Sequence, residues 1–270
     1  MTHSQPSNGL SSRQQRILDH ARKLGEVGVD ALAETFSVST QTIRRDLNYL
    51  CSLRLLQRIH GGAIVQDGVA NLGYGARRRI AVDAKDSMGA CAAALIPDDS
   101  SLFINIGTTT EYVAKHLTSH LGLLVVTNNI NVVTALRGCE NIDIMMAGGS
   151  VRRDDGAIIG GAAVDFIRQF KVDFAIIGTS AVDEDGTLLD YDPREVRVAK
   201  AIVENARSVI LVADSMKFER SAPIRITSIA DVDYFITDKM PGSTFVDKCY
   251  ELGVSIKIAE SNLPETAANS

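Results

Sequence analysis

The sequence predicts a two-domain α/β protein, in which an N-terminal winged helix-turn-helix precedes a larger domain built on a parallel β-sheet. Three observations lead to this prediction. Residues 39–50, STQTIRRDLNYL, have the spacing of a short amphipathic helix and are followed by a Gly-Gly turn. From residue 101 onward, short apolar segments alternate with helical ones, which is typical of a parallel sheet covered on both faces. The charge is also divided unequally between the two parts.

Length and composition are those of a globular protein with more than one core. The chain has 270 residues, of which 45% are hydrophobic and 23% charged. No apolar run reaches membrane-spanning length, and residues 1–10 lack the basic and apolar regions of a signal peptide. The four cysteines have no Cys-x-x-Cys spacing: Cys51, Cys91, Cys139 and Cys249. We therefore expect buried thiols in a cytoplasmic protein that has no cofactor, no metal and no membrane contact.

The net charge of −5 conceals an asymmetry. Residues 1–65 contain 8 Lys and Arg against 5 Asp and Glu, which gives +3. Residues 66–270 contain 20 against 28, which gives −8. A basic module on an acidic body is expected if the first part alone binds nucleic acid.

The first domain is predicted over residues 12–65, after a disordered segment at residues 1–11. Helical spacing predicts a first helix from Ser12 to Leu24 and a second from about Asp30 to Phe36, with Asp30 as its cap. Residues 37 and 38 then make a tight turn into a third helix. Two helices joined by so short a turn match helix-turn-helix geometry.

The third helix carries the residues that we expect to contact DNA. Ser39 can cap it, and Ile43, Leu47 and Leu50 form one apolar face. The polar residues at its start lie mostly off that face and can pair with base edges and phosphates. These residues are Ser39, Thr40, Gln41, Thr42, Arg44 and Arg45. The alternative is a solvated helix that carries two arginines, and the neighbouring elements favour DNA binding.

A wing is predicted after the third helix. Leu55–Ile59 and Ala63–Val65 have the composition of two short strands, and Gly61-Gly62 supplies the turn. Arg58 and His60 can reach a phosphate or the minor groove. For His60, a turn residue without any contact is an equal alternative.

Residues 66–80, QDGVANLGYGARRRI, are rich in glycine and then basic. They predict a linker with little structure of its own. Arg77–Arg79 either contact the DNA backbone or the other domain, or form a solvated basic run.

The second domain is predicted over residues 81–260, followed by a disordered tail at 261–270. The predicted strands are SLFINI, LLVVT, IDIMMA, VDFAII, SVILVA, DYFIT and VSIKIA. The first five of them end in Gly, Thr, Asn, Ser or Asp. Ligands bind at the carboxyl ends of the strands in such sheets, so these strand ends predict one pocket.

The composition of the strand ends suggests what the pocket binds. Gly107 allows close approach to the backbone, and Thr108, Thr109 and Thr110 begin a helix, where free N–H groups attract an anion. A phosphate is the expected guest, and the alternative is a helix cap with nothing bound. Further along the chain, Lys217 is suited to a phosphate or a polyol oxygen.

Three other groups bear on this pocket. The amides of Asn128 and Asn129 suit vicinal hydroxyls, since each can donate and accept. Arg152 and Arg153 can close over the anion, although a surface loop is at least as consistent with their position.

Two stretches of the sequence resemble the DeoR family of bacterial winged-helix repressors. In the first domain the resemblance rests on STQTIRRDL at its distance from the first helix and on the following HGGA. Thr40 departs from it, since relatives commonly have proline there. In the second domain it rests on NIGTTTE, VVTNNINV, DGAIIGGAAVDFIRQFKVDFAIIG, DPREVR and ADSMKF. That sensor domain is similar in fold to ribose-5-phosphate isomerases.

The resemblance implies a transcriptional repressor that binds double-stranded operator DNA as a homo-oligomer, a dimer or a tetramer. It implies a small phosphorylated effector, with glycerol 3-phosphate expected, at the strand ends. The effector residues that it implies are Gly107, Thr108, Thr109, Thr110, Asn128, Asn129, Gly148, Gly149, Gly178, Asp214, Lys217 and Glu195. Pro193, Met216 and Glu219 depart from the family pattern, which bears on effector specificity.

Two alternative functions belong to other classes. A sugar-phosphate isomerase-like enzyme fused to a DNA-binding module would need a general base, for which Glu195, Asp190 or Asp214 are candidates. The fused DNA-binding module favours a receptor, which releases its ligand unchanged. His116 and His120 have metal-ligand spacing, but no third ligand is near in sequence, so we predict no metal site.

Overall fold

A computed structural model describes residues 10–24, 26–53, 55–59, 61–65 and 74–259. The chain divides into two compact units, and the division falls between Ile80 and Ala81. No helix in the described part of the chain is both long and apolar enough to cross a bilayer. The predicted disordered segments at the two ends fall almost entirely outside the described residues.

The first unit is a winged helix-turn-helix. Its helices are α1 (Ser12–Leu24), α2 (Val29–Thr35), α3 (Thr40–Ser52) and α4 (Tyr74–Arg79). Its strands are β1 (Glu26–Gly28), β2 (Leu56–Ile59) and β3 (Gly62–Val65), which pair antiparallel in the order β1-β3-β2. Ile17, Ile43 and Leu47 are fully buried in its core. The predicted class of the first domain is therefore confirmed.

Two local predictions in this unit were wrong, and one strand was not predicted. Asp30 is not the cap of α2, because the helix begins one residue earlier and Gly28 holds the cap position without a side-chain bond. Strand β1 was not predicted, since Glu26–Gly28 is too short to show alternation and forms by pairing with β3. The expected linker is not structureless throughout, because residues 74–79 form α4, while residues 66–73 lie outside the described part.

The second unit contains six α-helices and a larger set of strands among its described residues. The helices are α5 (Val82–Ala93), α6 (Thr108–His116), α7 (Ile130–Leu136), α8 (Gly161–Ile167), α9 (Pro193–Glu204) and α10 (Ser243–Glu251). The strands are β4 (Ser101–Ile104), β5 (Leu123–Thr127), β6 (Ile142–Met146), β7 (Ser150–Val151), β8 (Ile158–Ile159), β9 (Val172–Ile177), β10 (Ala181–Val182), β11 (Thr187–Asp190), β12 (Ala206–Val212), β13 (Ile224–Ser228), β14 (Tyr234–Thr237) and β15 (Ser255–Ile258). Short 3₁₀ turns cover Ser215–Glu219 and Ile229–Asp231.

Seven of these strands form one parallel sheet in the order β15-β14-β12-β9-β4-β5-β6. They are the seven strands predicted from the sequence, so the parallel-sheet prediction is confirmed. Two clusters of buried apolar side chains cover the sheet, as continuous apolar strands require. The strand order reverses between β4 and β9. In sheets of this type, ligands bind at the carboxyl ends of the strands at such a reversal.

Two smaller elements of the second unit were not predicted. Strands β10, β11 and β13 form an antiparallel sheet, and β7 and β8 form a hairpin. The backbone N–H of Ile158 in this hairpin donates to the carbonyl of Asn128 at 2.7 Å. The hairpin therefore folds back over the end of β5, a contact between segments that are 30 residues apart.

The four cysteines are free thiols, but the prediction that all are buried was wrong for three of them. Cys51, Cys91 and Cys139 are half-buried, and Cys249 is buried. Burial raises the pKa of the Cys249 thiol to about 11, so this thiol is protonated and unreactive near neutral pH.

Candidate functional site

The start of α3 is fixed by a cap and by an ion pair. The hydroxyl of Ser39 accepts a hydrogen bond from the backbone N–H of Thr42 at 3.2 Å and lies 2.9 Å from the Thr42 hydroxyl. Asp46 is buried, and its carboxylate forms an ion pair with the Nε of Arg13 on α1 at 2.6 Å. This pair links α3 to α1. Opposite the apolar face of α3, the side chains of Gln41 and Arg44 are exposed.

The predicted DNA-binding residues therefore divide into two groups. Gln41, Arg44 and Arg45 are exposed on one side of the first turns of α3, where they can enter a groove. Ser39 and Thr42 instead use their hydroxyls in the cap, and Thr40 is half-buried beside them.

On the wing, Arg58 is exposed, and its guanidinium donates to the carbonyl of Gly62 across the hairpin at 2.9 Å. This bond holds Arg58 along the hairpin. His60 lies outside the described residues.

In the second unit, β4 and β9 are paired neighbours in the sheet, so their carboxyl ends lie side by side. The side-chain oxygen of Asn105, just after β4, accepts from the backbone N–H of Gly178, just after β9, at 3.2 Å. A side-chain carbon at Gly178 would lie 3.7 Å from the methyl group of Thr110. Sequence reasoning missed Asn105, although an asparagine in the otherwise apolar segment SLFINI was a signal for it.

The three threonines that begin α6 do not have the same role. The hydroxyl of Thr110 is turned inward and lies 2.8 Å from the carbonyls of both Asn105 and Gly107, to which it donates. Thr110 therefore holds the turn together, and the prediction that its hydroxyl serves a ligand is not supported. Thr108 and Thr109 are buried in the first turn of the helix, directly after Gly107.

The two asparagines after β5 also differ. Asn129 caps α7 by accepting from the N–H of Asn131 at 2.9 Å, and its amide nitrogen donates to Glu111 at 3.4 Å. Its amide therefore makes bonds within the protein, and its contact with ligand hydroxyls stays a prediction. Asn128 is 1% exposed and donates to the carbonyl of Ile158, while its side-chain oxygen has no hydrogen-bond partner.

For Arg152, which the sequence left open between closure over an anion and a surface loop, the structure shows a guanidinium surrounded by carboxylates. Its guanidinium lies 2.5 Å from Asp155, 2.9 Å from Asp192 and 2.5 Å from Glu195. Burial alone would lower the pKa of Arg152, but the hydrogen bonds and charges of Asp155 and Glu195 raise it above its ordinary value. Arg153, the next residue, is exposed.

The carboxylates that surround Arg152 include two residues at the start of α9, Asp192 and Glu195. Glu195 is 12% exposed and pairs with Arg152, so the prediction that it contacts the effector is not supported. Asp192 caps α9, and its hydrogen bond with Arg194 lowers its pKa to about 2. Asn131 joins the cluster to the start of α6, since its amide donates to the Asp155 carbonyl at 2.8 Å and to Glu111 at 3.1 Å.

The remaining predicted effector residues lie at the ends of β6 and β12. Asp214 is buried and caps the 3₁₀ turn after β12, accepting from the N–H of Met216 at 3.2 Å. Lys217, in the same turn, is 9% exposed. The 3₁₀ turn that contains Lys217 packs on β10. Because β10 follows the end of β9, Lys217 lies at the same edge of the sheet as Gly178.

The glycine pair after β6 has a structural explanation. Gly148 and Gly149 are exposed, and a side-chain carbon at Gly149 would lie 3.1 Å from the carbonyl of Ile159. The hairpin of β7 and β8 thus needs a small residue at Gly149, whether or not a ligand is bound.

Sequence reasoning also missed a buried cation, Lys85 on α5. It is 3% exposed on the face of α5 that packs on α6, β12 and β14. The signal was present, since Lys85, Met88, Gly89 and Ala92 recur at helical spacing on one buried face.

The candidate catalytic bases and metal ligands all have hydrogen-bond or ion-pair partners within the protein. Asp190 accepts from the Ser180 hydroxyl at 3.0 Å, and Asp214 and Glu195 have the bonds given above. His116 pairs with Asp86 at 3.0 Å, and His120 lies 3.1 Å from the carbonyl of Ile96. Across the part of the chain that the structure describes, no group of three or more His, Cys, Asp or Glu can hold a metal ion.

Comparison with known families assigns both units. Residues 13–69 match the DeoR-like helix-turn-helix domain, and residues 80–239 match the DeoR C terminal sensor domain. The second match alone covers more than half of the chain.

Individual proteins agree with this assignment. The chain is 47% identical over 231 residues to the glycerol-3-phosphate regulon repressor of Haemophilus influenzae, covering 86% of this chain and 90% of the relative. It is 45% identical over 231 residues to the repressor of the same name from Escherichia coli, covering 86% and 92%. The motifs of the second unit likewise resemble those of that repressor.

A solved ribose 5-phosphate isomerase from Methanocaldococcus jannaschii shares 16% identity, with a TM-score of 0.39 over 51% of this chain and 54% of the isomerase. A likeness this slight does not bear on function. The relatives with substantial identity are repressors, so the chain is a transcription regulator and not an enzyme. The protein belongs to the DeoR family.

Proposed function

We propose that this regulator represses the glycerol-3-phosphate regulon of its host and that sn-glycerol 3-phosphate, bound in the second unit, releases it from double-stranded operator DNA. The observation that supports this most directly is the contrast between an exposed polar start of α3 and a buried polar edge where β4 and β9 end. One surface suits a groove of DNA, and the other suits a small anion.

DNA binding is assigned to the exposed side of α3. Arg44 and Arg45 can each donate two hydrogen bonds to a guanine or contact phosphates, and Gln41 can pair with an adenine. A single short helix reads only a few base pairs, so a homo-oligomer, a dimer or a tetramer, supplies two helices for two half-sites.

The phosphate is assigned to the start of α6. The free N–H groups and the dipole of a nine-residue helix favour an anion there, and Thr108 and Thr109 add hydroxyl donors. Lys217 supplies a positive charge from the turn that follows β12. Gly107 and Gly178 keep the backbone open to a ligand at this edge.

The polyol part of the effector is assigned to Asn128. Its side-chain oxygen is buried and unpaired, and a buried acceptor without a donor is costly. A hydroxyl of the ligand satisfies it. The names of the repressors from Haemophilus influenzae and Escherichia coli support glycerol 3-phosphate as the effector and its regulon as the target.

A thermal-shift series tests the effector. Full-length protein is heated with sn-glycerol 3-phosphate, with glycerol, with inorganic phosphate and with ribose 5-phosphate. Glycerol 3-phosphate at 100 times its Kd should stabilise the native state by about 2.7 kcal/mol through mass action, and glycerol should have no effect. A transition that glycerol 3-phosphate leaves unmoved at millimolar concentration would remove it as the effector.

A further inference from the structure

The basic helix α4 lies outside both family matches. It covers Tyr74–Arg79, between the helix-turn-helix match that ends at residue 69 and the sensor match that begins at residue 80. The three residues of its last turn are Arg77, Arg78 and Arg79. From the sequence, this run was either a contact to DNA or to the other domain, or a solvated stretch.

Helix α4 is part of the DNA-binding unit. It contacts α1, and the side chain of Ile80, directly after it, packs against the core of the winged helix. The division of the chain into two units falls after Ile80. The arginines of α4 are therefore carried by the winged helix itself.

The end of α4 lies close to the base of the wing. Arg79 lines a groove together with His20, Glu26 and three residues of the segment from Gly28 to Leu32, namely Gly28, Ala31 and Leu32. At one end of that segment, the backbone N–H of Val29 donates to the carbonyl of Gly61 in the wing turn at 2.9 Å. Arg79 thus borders an element that is bonded to the wing.

Two of the arginines present their charges to solvent. Arg78 and Arg79 are exposed, whereas Arg77 is half-buried. The Arg78 guanidinium lies 5.8 Å from the centre of the Tyr74 ring, which restricts its motion. With α4 included, residues 1–80 contain 11 Lys and Arg against 6 Asp and Glu, a net charge of +5.

We propose that Arg78 and Arg79 of α4 contact the phosphate backbone of the DNA that flanks the bases read by α3. This inference rests on the proposed DNA-binding function and extends its footprint beyond the helix-turn-helix and the wing. Such contacts carry no sequence information, but they release counterions, so they steepen the dependence of affinity on salt.

The experiment measures binding of full-length protein to a mixed-sequence 30-base-pair duplex by fluorescence anisotropy at several salt concentrations. Removal of one arginine–phosphate pair should reduce the slope of log K against log salt by about 0.9, so Arg78→Gln/Arg79→Gln should lower it by up to about 1.8. The control Arg137→Gln/Lys239→Gln removes two exposed charges from the second unit and should keep the wild-type slope.

Thermal unfolding of both double variants should match the wild type, since all four side chains are exposed. If the α4 variant keeps the wild-type slope, the proposal fails, and it also fails if the slope of the control falls by as much. An unchanged slope with lower stability would mean that the arginines pair within the protein. A wild type that does not bind the duplex at all would instead contradict the proposed DNA-binding function.

Discussion

The two units place their polar groups in opposite ways. Among the described residues of the first unit, Asp46 is the one buried polar or charged side chain, whereas the second buries many, including Asn105, Asn128, Asp155 and Asp214. The first unit exposes the groups that we expect to meet its ligand, while the second builds them into the fold. Substitutions of these groups should therefore leave stability unchanged in the first unit, whereas in the second unit the effect should depend on whether the side chain bonds the protein or the ligand.

The largest effect is expected where the second unit depends on one cation. Arg152→Ala leaves Asp155, Asp192 and Glu195 without their shared partner and should lower the free energy of unfolding by about 3–5 kcal/mol. Urea denaturation measures it. Arg153→Ala removes the same charge from an exposed neighbour and should change stability by less than about 0.5 kcal/mol. Equal effects of the two would show that the cluster does not hold this part of the fold.

Two adjacent threonines of the second unit should have separate effects on binding and on stability. Thr109→Val should weaken glycerol 3-phosphate binding by about 1.5–3 kcal/mol, because it removes one donor to a charged group. Thr110→Val removes a hydroxyl that bonds the protein itself, and should cost about 1–3 kcal/mol of stability with little change in effector affinity. Calorimetry and urea denaturation measure the two quantities. The reverse pattern would refute the division of roles among these threonines.

In the first unit, Arg44→Ala should weaken operator binding by roughly 1–3 kcal/mol without a change in stability. The measurement uses a duplex that the protein itself selects from a random-sequence library, at one fixed salt concentration. Arg168→Ala removes an exposed arginine of the second unit and should leave the operator Kd unchanged. If Arg44→Ala also left it unchanged, Arg44 would not belong to the base-reading residues.

The smallest effect concerns acid. The pKa of Asp192 is lowered to about 2, so its charge stabilises the fold above the ordinary carboxyl pKa, and that contribution is lost as the pH falls from about 4 towards 2. Asp192→Asn should therefore be less stable at neutral pH and should lose less stability between pH 4 and pH 2 than the wild type. Parallel stability curves for the two proteins would contradict this role.

The predictable part of the molecule is the part that adjacent residues determine. The seven strands of the main sheet have apolar runs that are visible in the sequence, and Ser39 caps α3 through a bond to Thr42, three residues away. Strand β1 was missed because its three residues form a strand only through pairing with β3, more than 30 residues later.

The candidate site follows the same rule. Gly107, Thr108 and Thr109 could be proposed from one short motif, since a helix start needs only neighbouring residues. Arg152 could not be assigned, because Asp192 and Glu195, which bind it, are 40 and 43 residues away in the sequence. The bond from the Asn129 amide to Glu111 could not be foreseen for the same reason, since Glu111 lies 18 residues earlier.

In the proposed function, a ligand bound at the buried polar edge of the second unit lowers the affinity of α3, in the first unit, for operator DNA. The most direct test measures the operator Kd of the full-length protein with and without saturating sn-glycerol 3-phosphate, with binding of the effector verified by calorimetry. We expect the operator Kd to rise by about 5- to 150-fold when the effector is bound, and the affinity for the effector to fall by the same factor when operator is bound. An operator Kd that stays the same while the effector is bound would contradict the proposed function.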